Sequence, residues 1–177
     1  MAVLAIRTFG DPTLRQRAHE VDKVTKAHRQ LVKDMIDTMR EAPGVGLAGP
    51  QIGVLERVFV YEVEDDVGAL FNPCIVERSS ETLIEEEGCL SLPGLAYEVE
   101  RSRSVRLEGI DEKGRSVSIE ASDLLARVFQ HEIDHLDGVL FVDRLDEETK
   151  REAMRELTRQ VLGLPGPSTT APLEERL

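Results

Sequence analysis

The residues with the clearest chemical capacity are His131, Glu132, Ile133, Asp134 and His135. On a helix, positions four apart share a face about one turn apart, so His131 and His135 can hold one metal ion. Glu132 between them can then serve as general base toward water at that ion. What chemistry follows depends on the third ligand. The extended protease motif would place a further histidine at position 141. Gly138 stands where that motif has glycine, but position 141 is Phe141, and the extension fails. Glu147, Glu148, Glu152 and Glu156 lie downstream, where a thermolysin-like glutamate ligand would come from, but they read as the solvated face of a helix. The stronger candidate is Cys89, in Glu87-Gly88-Cys89-Leu90-Ser91-Leu92-Pro93. Thiolate is a strong ligand for zinc or iron, and binding would deprotonate it. Cys74 has an apolar strand context and reads as a small core residue.

A glycine-rich stretch runs from Gly44 to Gly53. It contains a literal Gly-x-Gly-x-x-Gly. The dinucleotide fingerprint needs a strand before it and a helix after it. Here a helix precedes, a strand follows and Pro50 intrudes. Taken alone, the stretch reads as a flexible turn. Its functional alternative is that the glycines let a peptide backbone lie close while Gln51 offers an amide donor.

Several elements must position these groups. Asp11-Pro12 is a helix-start signal. A helix is predicted from about Thr25 to Ala42, with Leu31, Met35, Ile36 and Met39 as its apolar stripe and Pro43-Gly44 as its stop. Val58 to Tyr61 reads as a strand, as do Ala69 to Phe71 and the region Ile75 to Ile84. Val105 to Ile110, a turn over Asp111 to Gly114, and Val117 to Ile119 predict a hairpin. Ser122 or Asp123 can cap a helix through His135, with Gly138 after its last turn. On it Leu124, Val128, His131 and His135 form one stripe. Val139 to Val142 is a short apolar run. A last helix from Asp146 to about Leu162 carries Met154, Leu157 and Val161 on one side. From Gly163 the tail is expected to be turn-like and then disordered. Helices and strands do not alternate regularly. The expected fold is therefore α+β, one domain over residues 1–162, with mostly antiparallel strands around a central metal-binding helix and a C-terminal helix.

The chain has 177 residues, 41% hydrophobic and 32% charged, enough for one domain with a real core. With 34 acidic against 22 basic residues the net charge is −12, which argues against broad nucleic-acid binding. No apolar run approaches the ~18 residues of a membrane helix. The first residues resemble neither a secretory signal nor a transit peptide, so a cytoplasmic location is expected. In a reduced compartment Cys74 and Cys89 are expected to have separate roles.

Together the three segments resemble the peptide deformylases. That family has a Gly-hydrophobic-Gly-Leu-Ala-Ala-x-Gln segment, then Glu-Gly-Cys-Leu-Ser, then Gln-His-Glu-x-Asp-His, and each appears here in order over roughly residues 1–162. Gly49 departs from the usual alanine, which would loosen the substrate loop. The resemblance implies removal of the N-formyl group from the initiator methionine of new polypeptides. It implies Cys89, His131 and His135 as ligands of one divalent metal ion, Fe2+ by family habit, with Zn2+, Ni2+ or Co2+ able to replace it. It implies Glu132 as general acid/base, and Gln51 with the Leu90 N–H as donors to the developing oxyanion. Val45, Gly46 and Gly88 match positions that align the peptide as an added strand. Leu124 and Val128 can wall an apolar pocket for the methionine side chain. The N-formyl-methionyl peptide is the implied partner, with transient ribosome association. Lys150, Arg151, Arg155 and Arg159, however, are interleaved with acids, so the last helix has no uniformly basic face.

Two other classes compete. A metallopeptidase would share the chemistry but lacks its downstream ligand, and formate release against internal amide cleavage separates the two. A structural zinc module usually closes with four protein ligands; three convincing ones are visible here, and Glu132 would have no purpose beside it.

Overall fold

A computed structural model describes residues 2–164. Its elements are a helix Lys26–Glu41 (α1), strands Gly46–Ala48 (β1), Val58–Val63 (β2), Asp66–Arg78 (β3), Thr82–Gly88 (β4), Ala96–Ser102 (β5), Ser104–Ile110 (β6) and Ser116–Ser122 (β7), and helices Asp123–Leu136 (α2) and Glu147–Val161 (α3). Five strands form an antiparallel sheet in the order β1-β2-β3-β6-β7, and β4 and β5 form a separate antiparallel pair.

Strand β2 explains how the layers stack. Strand side chains alternate between faces. Val58 and Val60 pack with Val32, Met35 and Met39 of α1. Phe59, Tyr61 and Val63 pack with Phe129, Ile133 and Leu136 of α2. A strand covered on both faces reads as a continuous apolar run, which is how Val58 to Tyr61 reads. Helix α2 therefore lies in the interior, with ten of its residues buried. A third apolar cluster, with Leu14, Leu92, Val99, Phe141 and Leu157, joins the β4-β5 pair to α3.

The α+β architecture with a central helix is as expected. Helix α1 lies within one residue of its predicted ends; Thr25 caps it, its side chain accepting from His28 N. The β6-β7 hairpin is also as read. The start signal at Asp11 produces a short 3-10 turn, Pro12–Arg15, rather than a longer helix.

Other expectations need correction. The region Ile75 to Ile84 holds the end of β3, which also contains Ala69 to Phe71, and the start of β4, separated after Arg78 by a turn in which Ser79 Oγ donates to Glu81 O (2.8 Å). Strand β5 has no counterpart among the expected elements, because an arginine occupies a buried position at Arg101. Cys74 is exposed rather than in the core. A bulge in β3, with Asn72 at φ 49°, breaks the alternation and turns Cys74 outward. Gly44 to Gly53 is no loose turn: β1 and the 3-10 turn Gly49–Ile52 are buried throughout. A Cβ at Gly49 would lie 2.7 Å from Val54 O and 2.8 Å from Glu56 O, so glycine here tightens the loop. The run Val139 to Val142 leads into a 3-10 turn, Phe141–Arg144. Val161 faces solvent, and α3 packs through Ala153 and Leu157. Of the expected tail only Gly163 and Leu164 lie within the described residues. Among those residues no helix is long and apolar enough to cross a membrane.

Candidate active site

Helix α2 delivers the two histidines. It starts after Ser122 and ends at Leu136, where Gly138 (φ 74°) turns the chain away. Arg57 of the β2 approach donates to Leu136 O (3.3 Å) and Asp137 Oδ1 (2.7 Å), holding the helix end down. Strand β4 runs into Cys89, and Arg127 of α2 ties that strand to the helix by donating to Leu83 O (3.0 Å) and to Glu87 Oε1 (2.7 Å). The thiol is thereby carried to the histidines. Cys89 Sγ lies 3.2 Å from His135 Nε2, which lies 3.2 Å from His131 Nε2.

These atoms fit one cation. Tetrahedral coordination with metal–nitrogen bonds of 2.0–2.1 Å sets two nitrogen ligands roughly 3.3 Å apart, close to the separation observed. His131 Nδ1 faces Glu87 Oε2 at 3.0 Å. With the proton on Nδ1, the Nε2 lone pair is free for a metal. Borderline-soft cations suit one thiolate with two imidazoles. Burial pushes His135 well below the imidazole range, and His131 acts in the same direction, which keeps a neutral ligand available. Phe141, at the position where a protease would carry another histidine, instead stacks on the His131 ring, with centroids 6.2 Å apart and planes at 26°.

Glu132 is buried, its Oε2 has no partner among the described residues, and it lines the cleft. Burial, with Glu87 and Asp134 adding to it against the opposing His131, pushes its pKa up to about 7. That suits a group that accepts and returns a proton near neutrality. Gln51 is oriented by the Ala48 backbone three residues earlier: Oε1 accepts from Ala48 N (2.7 Å), which turns Nε2 toward Ser91 Oγ (3.3 Å) and Cys89 Sγ (3.7 Å). The cleft has a volume of about 470 Å³. Val45, Gly46, Gly88, Leu90 and Val128 line it with Gln51, Glu132, Cys89 and His131. Leu124 does not; it is 48% exposed.

The family model for polypeptide deformylase matches residues 3–151. A peptide deformylase of Acidothermus cellulolyticus is 56% identical over 155 residues, 88% of this chain and 86% of that protein. This chain belongs to the peptide deformylase family. The family's fold is found here as well. The crystal structure of the peptide deformylase from Thermus thermophilus superposes with a TM-score of 0.86 at 44% identity, covering 91% of this chain and 96% of that one. The Ehrlichia chaffeensis peptide deformylase in complex with actinonin gives the same TM-score at 36% identity, covering 90% and 98%. As a peptide deformylase the chain is a metal-dependent hydrolase of N-terminal processing, with a candidate metal site at Cys89, His131 and His135.

Glu87 is the functional residue that sequence reasoning passed over. It stands two positions before Cys89 but had no assigned role. Its carboxylate also accepts a fork from Arg101, Nε at 2.8 Å and Nη2 at 3.0 Å. Burial works to raise the Glu87 pKa, but the bonds from His131 and Arg101 outweigh it and hold it at about 2. The one local signal was a charged residue on a strand edge beside a ligand. Arg101 carried none, since its strand was not recognised.

Proposed function

We propose that Cys89, His131 and His135 hold one divalent cation at which the formamide of an N-terminal formyl-methionine is hydrolysed to formate and a free amine. The observation behind this reading is the convergence of three ligand atoms beside an unpaired Glu132 oxygen in an open cleft. A divalent ion bound there supplies Lewis acidity and a nucleophile from water near neutral pH. Glu132 accepts the proton of the attacking water as its oxygen bonds to the formyl carbon. Glu132 then returns that proton to the nitrogen as the carbon–nitrogen bond breaks. Gln51 Nε2 and Leu90 N–H donate to the carbonyl oxygen as its charge grows.

The peptide fits as an added strand. Among the described residues strand β1 pairs only with β2, and β4 only with β5, so each has a free edge there. Val45 and Gly46 on one side and Gly88 on the other line the cleft between them. A peptide there gains backbone hydrogen bonds without sequence preference, as a processing enzyme requires. Val128 walls the apolar subsite for the methionine side chain. Leu124 faces solvent, so that part of the wall falls to Val128 alone. The catalytic domain then comprises residues 1–162. A nascent-chain substrate implies a cytoplasmic enzyme acting near the ribosome; the mixed charges of α3 single out no docking face.

Formate and free amine released from formyl-Met-Ala-Ser, before and after chelation, test the reading. Metal-dependent formate release with a preference over formyl-Gly-Ala-Ser is expected. Internal amide cleavage without formate would favour a peptidase and overturn it. For the resident metal we propose Fe2+, with Zn2+, Ni2+ and Co2+ as substitutes. A redox-active ion beside the Cys89 thiolate makes activity decay in air. Metal analysis after oxygen-free purification, followed by timed exposure, checks this; full zinc occupancy with oxygen-stable activity would exclude iron.

A further inference from the structure

We propose that Arg144 is a positioning residue for His131, acting through Asp134, Arg101 and Glu87. The proposal rests on the ligand assignment above. Asp134 lies inside the His-Glu-Ile-Asp-His motif, yet it lines no part of the cleft. Its buried carboxylate is held by a fork from Arg144, Nη2 to Oδ1 at 2.6 Å and Nε to Oδ2 at 3.1 Å. Arg101 Nη1 donates to Asp134 Oδ2 at 2.6 Å, while its other nitrogens grip Glu87. Glu87 Oε2 in turn faces His131 Nδ1. A continuous line of charge-assisted contacts thus runs from the half-exposed Arg144 to the ring of a metal ligand.

The charges explain why the outer end matters. Arg127 Nε also pairs with Glu85 Oε2 (3.2 Å). Glu85, Glu87 and Asp134 are therefore matched one for one by Arg101, Arg127 and Arg144. Without Arg144, Asp134 is left with Arg101 alone, which it shares with Glu87, while Arg127, the other partner of Glu87, is also engaged by Glu85. Asp134 is 7% exposed, so water does not readily take the place of Arg144. Buried carboxylates tolerate loss of a partner poorly. Asp134 draws Arg101 across, the fork on Glu87 opens, and the Glu87 contact that orients His131 loosens. Contacts of this outer kind fix the ring and tautomer of a metal-binding histidine.

The sign of the effect separates positioning from bulk charge. Removing a positive charge near a cation site would by itself strengthen cation binding. Loosened positioning weakens it. The experiment uses the full chain loaded with Co2+, its transfer to excess chelator followed by the visible Co2+ bands, with circular dichroism confirming the fold. Since loss of an outer partner typically costs 10–100-fold in metal affinity, Arg144→Met, one step further out, should release Co2+ about 3–10-fold faster and alter the bands. Arg144→Lys keeps the charge but not the fork, and should resemble Arg144→Met. In a Glu87→Gln background, Arg144→Met should add no further acceleration. Unchanged or slower Co2+ release in a folded Arg144→Met protein would overturn the proposal, even with a lowered Tm. So would full recovery in Arg144→Lys, or additive effects in the double variant. If Arg144→Met does not fold, Arg144→Lys and its Glu87→Gln double decide by the same criteria. A wild-type protein whose bound Co2+ shows no thiolate charge-transfer band would instead overturn the ligand assignment.

Discussion

Replacing Gly46 by alanine tests whether the general base must stand where the fold holds it. A Cβ at Gly46 would lie 2.3 Å from Glu132 Oε1, 2.8 Å from its Cδ and 3.1 Å from its Cγ. An ordinary carbon–oxygen contact is about 3.3 Å, so the carboxylate must retreat by about 1 Å. Gly46 does not have the left-handed backbone that would strain an alanine, so the strand itself accepts the change. The displacement therefore falls mainly on Glu132, which is 3% exposed. Misplacing a catalytic group by about 1 Å costs about 10²-fold. The expected result is a fall in kcat of that order with one metal per chain retained, since the three atoms nearest the new methyl all belong to Glu132 and none to Cys89, His131 or His135. The assay is formate release by metal-replete protein, with metal content measured on the same sample. A metal-replete Gly46→Ala enzyme with near-wild-type kcat would refute the argument. Loss of metal in parallel with activity would show instead that α2 had moved as a body.

Cys89→Ala should abolish metal binding and activity while Cys74→Ala, at an exposed strand position, leaves both intact; equal metal loss in the two proteins would count against the ligand set. Glu132→Gln should keep the metal and lose about 10²–10⁴ in turnover, read as kcat of metal-replete protein; near-normal kcat would remove its role. Glu87 has its pKa depressed to about 2 from 4.5, so its stabilising contribution is present above about pH 4.5 and lost as pH falls through about 2. That contribution is about 3 kcal/mol, and metal-free Glu87→Gln should show a shallower loss of unfolding free energy over this window; equal slopes would contradict it. Gly49→Ala should lower stability by about 1–3 kcal/mol through overpacking against two backbone carbonyls, measured by denaturant midpoint, and a gain in stability would contradict the close fit.

The candidate metal site was legible in the chain because its information is local. Two histidines four apart on a helix must share a face, and Glu132, next to His131, is at most a short way round the helix from that face. Cys89 stood out as a thiolate close to a plausible ligand set, whereas Gln51 gained its role only from the resemblance of the three segments to the deformylases. The central helix and the hairpin followed from periodicity, which records burial on one face. What the pattern could not carry is contact across elements. The outward turn of Cys74 depends on a bulge at Asn72. The strand holding Arg101 was hidden because its inward residue is charged. That charge is tolerable only because Glu87 and Asp134, from another strand and from α2, meet it in the folded chain. A buried ion pair has no one-dimensional signature, since each member reads as a surface residue until its partner arrives. Sequence by itself therefore determined which atoms can bind a metal and act as base. Tertiary structure decided how those atoms are held, because their supports are distant residues whose desolvation is compensated only by one another.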